Sequence, residues 1–143
     1  MLILAAFVTF QSFIEAPDAV RRQMDTVCKG WQLAAVIPEV AAEIQQRTPT
    51  WPPNLIPGDF NGDRKVDVAM LVDCKGRVQL QVFLAEGSGF SRQALDKPEP
   101  HDARQFLHLI RKEYEFDAIG VEFEAIGGRA WIWRDGRWVS VAR

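Results

Sequence analysis

Two hydrophobic periods divide the chain. Before about residue 50 the apolar positions largely recur at helical spacing, and after it they alternate or run together as in strands. Asp18 to Val27 carries Val20, Met24 and Val27 on one stripe, with Arg21, Arg22 and Asp25 off it and Asp18 near the N-cap. That pattern predicts a short amphipathic helix. Trp31 to Ile37 reads as a strand. Pro38 then stands at the first position of a second helix, where a missing N–H costs nothing, and Val40, Ala41 and Ile44 supply its stripe through Arg47. Pro49, Pro52, Pro53 and Pro57 make the next segment an ordered but irregular connector.

Beyond that connector the pattern is β. Val66 to Asp73 reads as a strand, Cys74 to Arg77 as a turn, and Val78 to Leu84 alternates cleanly. Gly87-Ser88-Gly89 turns the chain into Phe90 to Leu95, and Asp96 to Asp102 reads as a polar, proline-bearing loop. Phe106 to Phe116 fits a helix or a strand and is read as a strand. Ile119 to Ile126, Ala130 to Arg134 and Trp138 to Ala142 form a three-stranded meander, turning at Gly127-Gly128 and Asp135-Gly136. Asp-Gly suits a type I′ turn, whose two central residues both need φ > 0. The expected fold is α+β: a single domain, mainly antiparallel sheet in hairpins and meanders, with one or two short helices ahead of it.

Composition adds limits rather than chemistry. At 143 residues the chain has the length of one domain with a real core. Net charge is −2 with scattered basic residues, so neither nucleic acid nor an anionic membrane surface is an expected partner. Leu2 to Phe10 is an apolar run of nine, too short to span a bilayer but fitting the core of a signal peptide. No Lys or Arg precedes it, and Pro17 hinders cutting directly after Ala16. A signal peptide over residues 1–18, cleaved between Ala16 and Ala19, is expected, followed by one domain over 19–143. The other reading is a buried first strand or helix. Cys28 and Cys74 match neither a C-x-x-C motif nor a metal spacing, and in an exported chain they are expected to pair. In a cytosolic chain they would be free buried thiols. Export implies a periplasmic or secreted protein.

One segment carries chemistry. In Asp59-Phe60-Asn61-Gly62-Asp63-Arg64-Lys65-Val66-Asp67, oxygen-bearing side chains fall at positions 1, 3, 5 and 9. Ca²⁺ takes roughly six to eight hard oxygen ligands, and a tight loop turns alternate side chains onto one point. The alternative is a polar turn without an ion, but its three carboxylates would then repel one another. With Ca²⁺ bound the formal charge rises to about zero, which also argues against a strongly charged partner.

This loop, with Gly58 before it and Val68-Ala69-Met70 after it, resembles the calcium loop of FG-GAP/VCBS-type proteins, the integrin-α-like propeller repeats. The resemblance implies a loop joining two antiparallel strands, with Asp59, Asn61, Asp63 and Asp67 as side-chain ligands and the Lys65 carbonyl as another. The wider arrangement is similar to small exported bacterial proteins carrying a single such loop. Position 6, usually Gly in that family, is Arg64, which must accept a strained backbone costing roughly 1 kcal/mol. A single copy of the loop rules out a full propeller. An EF-hand is also disfavoured, because Met70 stands where the bidentate Glu would be and strand follows Asp67.

His101 and His108 have no Cys or Ser nucleophile at a readable spacing and are read as structural. Trp131, Trp133 and Trp138 either fill the core or form an exposed aromatic patch, the core being favoured. Glu122 and Glu124 share a strand face, as in a carboxylate hydrolase or a solvated sheet. The function expected is a non-catalytic exported domain with a structural calcium site, binding another protein in the envelope or outside the cell. The alternative is a carboxylate- or metal-dependent hydrolase.

Overall fold

The computed structural model describes residues 15–48, 50–124 and 126–143. Apart from Glu15 to Asp18, the expected signal segment lies outside the described residues. Helix α1 (Asp18–Val27) forms as its stripe predicts, with Val20 and Met24 buried. Pro17 rather than Asp18 is its N-cap, and Val27 is exposed. The expected strand at Trp31 shrinks to β1 (Gln32–Leu33), and α2 (Pro38–Arg47) starts on its proline.

The first sheet continues with β2 (Leu55–Gly58), β3 (Asp67–Cys74), β4 (Arg77–Glu86) and β5 (Gly89–Pro100). β1 and β2 share one edge of β3, β1 along Val72 and Asp73 and β2 along Asp67 to Met70. The second sheet is a meander of β6 (Gln105–Ile110), β7 (Ala118–Phe123), β8 (Gly127–Arg134) and β9 (Arg137–Ala142). All pairings are antiparallel, and neither sheet closes into a barrel. The runs β2 to β5 and β6 to β9 are the same up-and-down unit made twice, short of the blades a full propeller needs.

Other segments also differ from the sequence reading. Leu55 to Gly58, expected as irregular connector, pairs with β3. Asp96 to Pro100, expected as loop, continues β5 along β4 after a register shift between Val78 and Leu80, with Asp96 at φ 69°. Prolines are tolerated there because β5 is an edge strand. Phe106 to Phe116 is a strand only as far as Ile110.

β3 explains the layering. Its run Asp67 to Val72 is buried throughout, as a strand covered on both faces must be. Val68, Met70 and Val72 pack with Val20 and Met24 of α1, while Ala69 and Leu71 join Leu80, Val82, Leu107 and Ile119 between the two sheets. Trp131, Trp133 and Trp138 pack against that second cluster, so they serve the core. Trp138 stacks edge-on against Trp133 and its Nε1 donates to Gln93 Oε1 at 2.8 Å, from one sheet to the other. Fully buried Asn54 also joins the sheets: its Nδ2 donates to Ala34 O at 2.7 Å and its Oδ1 accepts from Leu107 N at 3.0 Å. Cys28, just after α1, is disulfide-bonded to Cys74 at the end of β3, 46 residues away. On the chain-entropy model a closure of that length stabilises by about 4 kcal/mol.

Candidate metal centre

The acidic loop leaves β2 at Gly58 and enters β3 at Asp67. Phe60 turns inward as its hydrophobic anchor, fully buried between the sheets. Around that anchor the carboxylates wrap the loop backbone. Asp59 Oδ1 accepts from Gly62 N at 2.9 Å and Oδ2 from Arg64 N at 2.9 Å. Asp63 Oδ1 accepts from Lys65 N at 2.9 Å. Asp67, fully buried, accepts from Phe60 N at 2.9 Å and from Ala85 N at 2.8 Å, tying both ends of the loop to β4.

These bonds bring one oxygen each of Asp59, Asp63 and Asp67 within 4.8 Å of one another. Burial, the largest influence, pushes the Asp67 carboxyl above the usual range, and the charges of Asp63 and Asp59 add to it. The Ala85 and Phe60 N–H bonds oppose that shift. A divalent cation among the three would relieve both the desolvation and the repulsion. Asn61, in the same loop, has a buried Oδ1 with no partner among the described residues. An orphaned acceptor in the same loop as three converging carboxylates fits a hard, oxygen-seeking ion. The Lys65 ammonium has no lone pair to offer a cation, so only the backbone of that residue is suited to take part.

The backbone makes a tight turn here. Gly62 has φ 75° and Arg64 φ 65°, so Arg64 does occupy the left-handed conformation that favours glycine. A side chain at Gly62 would also collide with the ring of Phe116, which covers the loop. The segment between β6 and β7 supplies that ring and a further carboxylate. Asp117 Oδ2 accepts from Asp59 N at 3.0 Å, and Asp117 N donates to Asp59 O at 3.2 Å. Sequence reasoning missed both residues, because a partner 58 positions away leaves no local signal.

The other candidates lie elsewhere. His101 Nε2 donates to Ala35 O at 2.8 Å, a structural role. Glu122 Oε1 is 3.4 Å from His108 Nε2 and 3.8 Å from Arg143 Nε, whereas Glu124 follows the end of β7. Burial pushes the His108 imidazole below its usual pKa. Among the described residues no helix is long and apolar enough to cross a membrane. No family model, curated protein or solved structure matches the chain. The molecule is thus an α+β protein of two antiparallel meanders, with an acidic loop that could hold a metal ion where they meet.

Proposed function

We propose that this is a non-catalytic exported domain whose acidic loop holds a structural Ca²⁺, and that it binds another protein in the cell envelope or outside the cell. The observation that carries the metal reading is the convergence of the Asp59, Asp63 and Asp67 oxygens within 4.8 Å. The orphaned Asn61 Oδ1 supports it. The donors are oxygens alone, with no imidazole or thiolate among them, which favours calcium over zinc. The ligands are Asp59, Asn61, Asp63, Asp67 and the Lys65 carbonyl, the set implied by the FG-GAP/VCBS resemblance. Four side chains and a carbonyl leave little open coordination, so the ion fastens the β2–β3 crossing rather than activating a substrate. The Cys28–Cys74 bond supports an oxidising compartment, periplasmic or extracellular.

Thermal unfolding with excess Ca²⁺ and with a chelator tests the metal. Calcium at about 100 times its Kd should stabilise by about 2.7 kcal/mol, and Asp63→Ala should abolish the shift. Equal melting curves in calcium and chelator for the parent protein would reject the ion. A pull-down from envelope extract, with and without calcium, addresses the partner.

A further inference from the structure

Away from the acidic loop, a cavity of about 440 Å³ lies between α2, the segment around Trp51 and β6. β6 is an edge strand, with no neighbour beyond it in its sheet among the described residues. The cavity is bordered by apolar side chains, among them Trp51, Ile56 and Leu109, and its polar residues include Glu43, Arg47, His108 and Arg111. Its size is that of a small-molecule site, and its apolar lining with a few convergent polar groups is the usual composition of one.

The charges point to the sign of the ligand. Arg47 is paired with Glu43 at 2.6 Å, an exposed pair one helical turn apart that holds it only weakly. Arg111 is exposed just past the end of β6 and forms no ion pair among the described residues. Together Glu43, Arg47 and Arg111 leave the lining with a positive excess, in a molecule of net charge −2. His108 also borders the cavity, with its ring packed over Gly120 of β7.

We infer that this cavity binds a small amphipathic monoanion, an apolar or aromatic body carrying one carboxylate, with Arg111 as its charge partner. The apolar body lies against Trp51, Ile56 and Leu109, and the carboxylate meets the guanidinium at the rim. A guanidinium–carboxylate hydrogen bond is among the stronger polar contacts. The site is separate from the calcium loop, so it stands or falls independently of the metal.

Calorimetric titration of the full, calcium-saturated chain tests it, with 4-phenylbutyrate and octanoate as probes and 4-phenylbutan-1-ol and octan-1-ol as their uncharged counterparts. The expected result is saturable one-to-one binding of an acid, with its alcohol at least tenfold weaker. Arg111→Glu should weaken the acid at least tenfold and leave the alcohol unchanged, while Arg111→Lys should restore most of the affinity. Arg111 is exposed, so these variants should fold. Absence of saturable binding by both acids, equal affinity for acid and alcohol, or indifference to Arg111→Glu would each overturn the assignment.

Discussion

Asp59 and Asp117 hold each other by two reciprocal hydrogen bonds across the junction of the sheets. The Asp59 N–H donates to Asp117 Oδ2 at 3.0 Å, and the Asp117 N–H donates to Asp59 O at 3.2 Å. The first residue of the acidic loop is therefore fixed by the segment that connects β6 to β7. Asp117→Ala removes one of these bonds and leaves the Asp59 N–H without its partner, a loss of about 1–2 kcal/mol. Urea denaturation should show that loss. On the calcium reading the variant should also show a smaller calcium-dependent shift, because the loop would then have to be ordered by the ion alone. An unchanged midpoint and an unchanged calcium shift would mean that the two loops are only neighbours.

Arg64 is the one loop position whose residue type disagrees with its backbone. Its φ of 65° is left-handed, and no ion pair among the described residues offsets the strain. Arg64→Gly should stabilise the protein by about 0.5–1 kcal/mol, the relief exceeding glycine's added freedom in the unfolded chain. Thermal melting in chelator isolates the backbone effect from any change in ion binding. A lower melting temperature there would show that Arg64 contributes more through its side chain than its conformation costs.

What could be read in the sequence followed the range of each interaction. The alternation of Val78 to Leu84, the turn at Asp135-Gly136 and the spacing of Asp59, Asp63 and Asp67 are local patterns, and each reappears in the structure. Pro38 at the start of α2 is local in the same way. What escaped was decided by distant partners. Leu55 to Gly58 is a strand only because β3 lies beside it, despite Pro57, and Asp96 to Pro100 is extended only because β4 continues. Trp131 and Trp133 could have faced solvent or core, and only the packing of one sheet on the other decides between them. The participation of Asp117 and Phe116 at the loop is of this kind too.

Asn54 concentrates three of these distant interactions in one buried residue. Besides its side-chain bonds to Ala34 and Leu107, its carbonyl accepts from Leu71 N at 3.0 Å. Asn54→Ala should destabilise by about 2–4 kcal/mol, since it orphans a buried carbonyl and a buried N–H. It also places alanine at φ 67°. Asn54→Gly separates the two effects by relieving the backbone without restoring the bonds. If the glycine variant matched the parent in chemical denaturation, the side-chain bonds would be shown to contribute little.

His108 gives the fold a pH dependence of definite sign. Its imidazole packs over Gly120, where a Cβ would collide with the ring, and burial lowers its pKa. Glu122 and Glu113 raise that pKa, while Arg143 and Arg47 lower it, with burial the largest influence. The folded state therefore holds the proton less tightly than the unfolded state. The neutral form's contribution is fully present above the unfolded pKa of about 6.5 and is lost progressively as pH falls toward the lower folded value. Melting temperature should accordingly fall between about pH 7 and pH 5 in the parent protein. In His108→Gln, which carries no titrating ring, that segment of the curve should flatten, whatever the variant's absolute stability. A slope equal to the parent's would assign the acid sensitivity to the carboxylates and remove His108 from it.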